Sequence, residues 1–114
     1  MYKMIDLSFL EKFTKGNTTK MKRYISMYLN MVPETFERMH QNIKDKSWPE
    51  LAINAHSLKP QADYMGIAIL KEVLVEIENM VKRDQVNDLE SLYTKAVNIH
   101  KDSEVFLQKY LNNN

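Results

Sequence analysis

Apolar residues recur at three- and four-residue intervals along almost the whole of this chain, and few residues interrupt the repeat. Among 114 residues there are only two glycines and three prolines, and the composition is rich in Lys, Glu, Leu, Met and Asn. Side chains three or four positions apart share one face of an α-helix, whereas strands need alternating runs that are rare here. The sequence therefore predicts an all-α protein made of amphipathic helices.

The first two predicted helices are separated by a turn at residues 15–17. Asp6 is placed to cap a short helix over residues 7–14. A long helix follows over residues 18–44, and Pro33 should kink or split it because proline removes an amide hydrogen bond and clashes with the preceding turn. The buried stripe predicted for the long helix is Met21, Tyr24, Ile25, Tyr28, Val32, Phe36, Met39 and Ile43.

The clearest helix start is Ser47-Trp48-Pro49-Glu50, which predicts a capping box with Ser47 at the N-cap and Glu50 bonding back to it. The third helix should run from there to a C-cap at Gly66. A fourth ends at residues 82–83, and a fifth opens at Asn87 or Asp88 and ends before the polar tail at residues 112–114. The buried stripes predicted for these helices are Leu51, Ala52, Ala55, Leu58, Ala62 and Met65; Leu70, Val73, Leu74, Ile77 and Val81; and Leu89, Leu92, Tyr93, Ala96, Ile99 or His100, Phe106, Leu107 and Tyr110.

The connections between the last four helices are short, and short connections favour antiparallel neighbours. The predicted fold is therefore an antiparallel four-helix bundle with a short additional N-terminal helix that closes one end or edge. A chain of this length suits one domain, so residues 1–114 are expected to form a single unit.

Composition removes several classes of function. Sixteen basic and fifteen acidic residues give a net charge of +1, without a block of like charges that would bind nucleic acid or a membrane surface. The lack of cysteine excludes disulfides and thiol chemistry, and the three histidines are too far apart in sequence for a metal-binding pair on one helix. Asp6 and Glu11 interrupt any signal peptide, so we expect a cytoplasmic protein.

His56 is the candidate site residue. Helical projection places it about 125° from the centre of the third helix's buried stripe, so it should face solvent with Lys59, Pro60 and Asp63 on the same side. An exposed imidazole with one deprotonated nitrogen is a nucleophile, and a nearby ammonium can stabilise an anionic group attached to it. Composition alone favours the simpler interpretation of an ordinary charged helix face.

The stretch AHSLKPQADYMGI, residues 55–67, resembles the signature of histidine-containing phosphotransfer (HPt) domains. That signature reads A-H-x-L-K-G, followed by small residues and a glycine ten positions after the histidine. The matching residues are Ala55, His56, Leu58, Lys59 and Gly66. The resemblance extends over about residues 6–110 and implies that Nε2 of His56 accepts a phosphoryl group from the aspartate of one receiver domain and passes it to another.

The resemblance also implies the roles of neighbouring residues. Glu78, twenty-two positions after His56, would accept a hydrogen bond from Nδ1, and projection puts it about 80° from the centre of its own helix's stripe. Lys59 would offset charge on the phosphoryl oxygens. The implied protein is a monomeric phosphocarrier without kinase activity or a cofactor of its own, and Mg²⁺ is expected on the partner receiver.

The implied partners are a response-regulator receiver domain and a hybrid sensor histidine kinase. Their docking surface should include Tyr64, Ile67 and exposed residues of the first helix. Of the remaining histidines, His100 is expected to be a partly buried packing residue and His40 to lie at the surface. Trp48 is expected to cover one end of the bundle.

Two residues depart from the family pattern. Pro60 stands where glycine is usual and should kink the helix beneath His56, and Asp63 stands where a small neutral residue is common and should repel a phosphoryl group modestly. Two alternative functions stay open. One is a non-catalytic helical interaction module that docks receiver domains, and the other is an excised phosphoacceptor domain of a chemotaxis-type histidine kinase.

Overall fold

The computed structural model describes residues 5–113, and these residues form five helices and no strand. The helices are α1 (Ser8–Phe13), α2 (Thr18–Lys44), α3 (Trp48–Met65), α4 (Ala68–Lys82) and α5 (Leu89–Asn113). Each of α2, α3 and α4 packs against the next helix along the chain, α5 also packs against α2, and α1 packs against α3. The predicted all-α bundle with a short additional N-terminal helix is confirmed.

The core is made by one apolar stripe from each helix, because helical periodicity brings these side chains to one face. The fully or almost fully buried apolar residues are Ile5, Leu10, Met21, Ile25, Tyr28, Val32, Phe36, Met39, Leu51, Ala55, Leu58, Ala62, Met65, Ile67, Leu70, Val73, Leu74, Ile77, Leu89, Ala96, Ile99 and Leu107. Several residues predicted in the stripes lie at the edges of those stripes and are only half-buried. They are Tyr24, Ile43, Ala52, Val81, Leu92, Tyr93 and Tyr110. Trp48 also packs half-buried against the core.

Phe106 is the stripe residue that was predicted wrongly, since about half of its surface is exposed. Ser103 and Leu107 occupy the inward positions of this part of α5 and are fully buried. Phe106 lies about 80° from the line that the buried residues of α5 define, so its ring reaches the flank of the bundle. The helix also continues to Asn113, into the polar segment predicted to follow it.

The predicted capping box at the start of α3 is wrong, although the helix begins where it was predicted. Ser47 holds the N-cap position, but its side chain makes no capping hydrogen bond. Its backbone amide, which Glu50 was expected to bind, donates instead to the Asn42 carbonyl at 2.8 Å and closes the end of α2. A side-chain cap is found at α2, where Asn17 Oδ1 accepts from the Lys20 amide at 3.0 Å.

Prolines lie inside two unbroken helices, Pro33 in α2 and Pro60 in α3. The split predicted at Pro33 therefore does not occur. Val32 and Phe36 are buried on either side of it, and packing of such a stripe supplies most of a helix's stability in a protein. The kink predicted at each proline stays a prediction.

Gly66 ends α3 in the left-handed conformation, with φ of +66°, as the C-cap prediction requires. Its carbonyl accepts the Asp6 amide at 3.0 Å, and a Cβ at this position would lie 1.6 Å from the Asp6 carbonyl oxygen. Only glycine therefore fits beneath the segment that leads into α1. Asp6 Oδ1 in turn accepts the Ser8 amide at 2.9 Å. The N-cap of α1 is Leu7, one residue after the position predicted for the cap, and no side chain caps this helix.

None of the helices within residues 5–113 combines the length and the apolar character needed to cross a membrane.

Candidate functional site

His56 lies on the outer face of α3, and 69% of its side-chain surface is exposed. Ala55 and Leu58 beside it are buried, so the helical period that packs them also turns His56 outwards. The exposure predicted for His56 is therefore found in the structure.

Glu78 reaches the same site from α4. Its Oε2 lies 3.1 Å from Nδ1 of His56, while only 10% of the Glu78 side chain is exposed. An ionised carboxylate only accepts hydrogen bonds, so Nδ1 carries the proton and donates it. The neutral imidazole then has its lone pair on Nε2, which is the nitrogen that a nucleophile needs at an exposed position.

Lys59 also pairs with Glu78, and this contact was missed by the sequence reasoning. Its Nζ lies 2.7 Å from Oε1, so each oxygen of one carboxylate faces one donor. Burial acts to raise the pKa of Glu78, but the Lys59 ammonium and the hydrogen bond to His56 outweigh it, and the pKa lies below its usual value. Glu78 is therefore ionised at neutral pH. Lys59 and Glu78 lie on different helices, so no periodicity in the sequence relates them.

The two residues that depart from the family pattern lie on the same outer surface. Pro60 and Asp63 are exposed. Asp63 forms an ion pair with Lys71 of α4, with both carboxylate oxygens 3.0 Å from Nζ. This ion pair, which was not predicted, reduces the repulsion that Asp63 would exert on an anionic group attached to His56.

An aromatic cluster adjoins these residues at the junction of α1, α2 and α3. Its four rings belong to Phe9, Phe13, Tyr24 and Tyr64. Phe13 and Tyr64 each contact the other three rings, with centroids 5.5 to 6.1 Å apart. Half of the surface of Phe9 and of Phe13 is exposed. Phe9 and Tyr64 also line a shallow depression with Pro60 and Asp63.

Ile67 was predicted to belong to an exposed partner surface, and this prediction is wrong. The residue is completely buried. It lies at the N-cap of α4, and its backbone amide donates a hydrogen bond to the Ala62 carbonyl at 2.9 Å in the tight turn from α3. That turn directs the side chain into the core, which a projection of α3 alone does not reveal because Ile67 lies beyond the end of that helix.

The described part of the chain holds no group of three or more His, Cys, Asp or Glu side chains arranged to bind a metal ion. His40 is exposed near the end of α2, and its ring lies 5.8 Å from that of Tyr93. His100 is buried between α2 and α5. These positions agree with the surface and packing positions predicted for the two histidines.

The fold and the site together define a class of protein, a helical bundle that presents one exposed histidine whose ring is held by a buried carboxylate. A family model described as Hpt domain matches residues 23–111. The chain therefore belongs to the Hpt domain family, as its resemblance to that family predicts. Searches of the curated proteins and of the solved structures found no match.

Hpt domains carry out histidine phosphotransfer in phosphorelays, and they interact there with receiver domains and kinases. The matched region contains His56, Lys59 and Glu78, whereas α1 and the first residues of α2 lie outside it. Phe9 and Phe13 of the aromatic cluster thus come from a segment that the family model does not cover.

Proposed function

We propose that this protein carries a phosphoryl group between the aspartates of receiver domains in a two-component multistep phosphorelay, and that Nε2 of His56 is the carrier atom. The observation that carries this proposal is the hydrogen bond of 3.1 Å between Nδ1 of His56 and Glu78 on an otherwise exposed ring. It fixes the proton on the inner nitrogen and leaves the outer one free to react.

In the transfer, the Nε2 lone pair attacks the phosphorus of an aspartyl phosphate and forms the N–P bond. The P–O bond to the aspartate breaks, and the carboxylate leaves with the electron pair. Nδ1 keeps its proton throughout, and Glu78 stabilises the positive charge that develops on the ring. The second transfer reverses these steps with another aspartate. The Mg²⁺ that assists them would be bound by the receiver, so this chain supplies the nucleophile and its positioning.

The aromatic cluster supports a docking surface for the receiver beside His56. Exposed aromatic rings on a monomer are the kind of side chain that protein interfaces enrich, and Pro60 links the cluster to the turn that carries His56. A hybrid sensor histidine kinase would present its own receiver domain to the same surface. The proposal places the protein in the cytoplasm, as a monomeric phosphoprotein that docks one receiver at a time.

A transfer assay with a purified receiver tests this function. The receiver is loaded with labelled phosphate and incubated with the wild-type protein and with His56→Gln. We expect acid-labile label on the wild type and none on His56→Gln. His40→Gln is the matched control, because His40 is the other histidine on the surface of the described residues, and it should be labelled like the wild type.

Two results would contradict the proposal. Label on His56→Gln at the wild-type level would place the acceptor elsewhere. Receiver binding without transfer to the wild-type protein would instead support the alternative of a non-catalytic interaction module.

A further inference from the structure

Glu78 is shared between two partners in a way that the carrier role of His56 does not require. One oxygen accepts from Nδ1 of His56 at 3.1 Å, and the other faces Nζ of Lys59 at 2.7 Å. Lys59 is the residue expected to offset charge on the phosphoryl group, yet its ammonium points at the carboxylate behind the histidine. The Lys59 ammonium, which a phosphoryl group on Nε2 of His56 would need, is thus already paired with Glu78 on the opposite side of the ring.

The Oε1 atom of Glu78 depends on this ammonium. It is buried, and within residues 5–113 no hydrogen-bond donor other than the Lys59 ammonium faces it. A buried anionic oxygen that loses its only counter-charge is destabilised, because desolvation is no longer offset. Moving Lys59 away from Glu78 therefore costs free energy. Only a stronger anion nearby would offset this cost and draw the ammonium away.

A phosphoryl group on His56 is such an anion. It carries nearly two negative charges and three acceptor oxygens at neutral pH, and it would lie in solvent on the ring nitrogen opposite Glu78. Lys59 follows His56 by three positions, so the two side chains are neighbours on the surface of α3. The lysine side chain has a flexible four-carbon stem and is still 24% exposed, which allows it to turn outwards.

We propose that Lys59 exchanges partners during the carrier cycle: it pairs with Glu78 while His56 is unmodified and moves to the phosphoryl group once Nε2 is phosphorylated. Glu78 is then a positioning residue with two tasks, since it holds the proton on Nδ1 and competes with the phosphoryl group for Lys59. This inference rests on the proposed carrier function. Its consequence is a phosphoryl group that is only partly neutralised and so remains available for onward transfer.

The exchange can be observed without a receiver, because a small donor such as phosphoramidate can phosphorylate an exposed histidine directly. The first measurement is the NMR signal of the Lys59 Nζ and Cε atoms, assigned by its absence in Lys59→Gln. Phosphorylation of the wild-type protein should shift this signal. The Lys71 signal is the internal control, because Lys71 is paired with Asp63 and should shift much less.

The second measurement is the proton affinity of the phosphoryl group, read from the pH dependence of its ³¹P signal. An adjacent ammonium lowers this affinity, so its removal by Lys59→Gln should raise it, by about threefold. In a Glu78→Gln background the competition is removed and Lys59 is fully available, so the same substitution should raise the affinity by about tenfold. Lys71→Gln should have the same small effect in both backgrounds.

The outcomes separate this inference from the function beneath it. A wild-type protein that phosphoramidate does not modify on His56 would overturn the carrier role and the inference together. Phosphorylation of His56 with an unchanged Lys59 signal would overturn the inference alone. So would an effect of Lys59→Gln that is equal in the wild-type and Glu78→Gln proteins, because equal effects would mean that the carboxylate does not compete for the ammonium.

Discussion

Two histidines of this bundle, His56 and His100, contact a side chain on a neighbouring helix, and they differ in how much of the ring solvent can reach. His56 binds Glu78 through Nδ1, and most of its side chain is exposed. His100 is buried between α2 and α5, where its Nδ1 lies 3.0 Å from the Tyr28 hydroxyl and its Nε2 lies 3.7 Å from Glu104. Each histidine therefore has one partner on a neighbouring helix, but at His56 this partner is the carboxylate itself, whereas at His100 it is a hydroxyl and the carboxylate lies on the same helix as the histidine.

The difference lies in which nitrogen is protonated and which one solvent can reach. At His100 the Tyr28 hydroxyl is placed to donate to Nδ1, and the carboxylate near Nε2 favours the proton on that nitrogen. At His56 the carboxylate holds the proton on Nδ1 and leaves Nε2 outside. A histidine paired to a carboxylate becomes a usable nucleophile only when its unprotonated nitrogen is the exposed one.

The largest effects are expected when each histidine is replaced by glutamine in a separate variant. The measurements are labelling by phosphoramidate and stability in urea. We expect His56→Gln to lose all acid-labile label while its free energy of unfolding falls by about 0.5 to 1 kcal/mol, because the ring is exposed but its hydrogen bond to the buried Glu78 carboxylate is lost. His100→Gln should keep wild-type label and lose about 1 to 3 kcal/mol, because it disturbs a buried hydrogen bond. Loss of label in a folded His100→Gln protein would break the comparison.

A smaller effect is expected when only the hydroxyl of Tyr28 is removed. Tyr28→Phe leaves Nδ1 of His100 buried without its donor, which should cost about 1 to 2 kcal/mol of unfolding free energy. Tyr24→Phe is the matched control in the same helix, because this half-buried ring belongs to the aromatic cluster, and it should change stability by less than about 0.5 kcal/mol. Equal losses in the two variants would show that the buried hydrogen bond contributes nothing.

The two sites should also respond to acid in different pH ranges. Burial lowers the pKa of His100 below its ordinary value of 6.5, and Glu104 only partly opposes this. The unfolded chain then binds the proton first, so the stability present above pH 6.5 is lost as pH falls towards the folded-state pKa. The lowered pKa of Glu78 gives stability that is present above its ordinary value of 4.5 and is lost as pH falls through the folded-state pKa.

Urea unfolding across this pH range checks the assignment. His100→Gln should flatten the decline that begins near pH 6.5, and Glu78→Gln should flatten the one that begins near pH 4.5. If either variant keeps the full decline in its own range, the corresponding pKa shift does not arise from that site.

The smallest effect is expected at the ion pair on the surface beside His56. Asp63→Asn removes the partner of Lys71, and both side chains are about half exposed, so the free energy of unfolding should fall by less than about 0.5 kcal/mol. The same measurement on Glu78→Gln gives the contrast, because that carboxylate is buried. A larger loss for Asp63→Asn than for Glu78→Gln would reverse the order of importance inferred for the two ion pairs.

Periodicity alone located most of the helices and the exposed position of His56, because both depend on neighbours three and four residues away on one helix. It failed where a residue's environment is set by another segment. Ser47 has the right position for a cap, but its backbone amide donates a hydrogen bond to the carbonyl of Asn42 at the end of α2. Ile67 looked like a surface residue beside the motif, yet the turn into α4 buries it.

The sequence by itself determined an all-α chain, the approximate limits of its helices and an HPt motif with its histidine turned to solvent. The partnership of His56 with Glu78 was expected only through the family resemblance. The tertiary structure alone decided that Lys59 shares the same carboxylate and that His100 is held by Tyr28. Helical spacing fixes the direction of a side chain on its own helix, whereas a contact between helices also depends on how they pack, which no single stretch of sequence encodes.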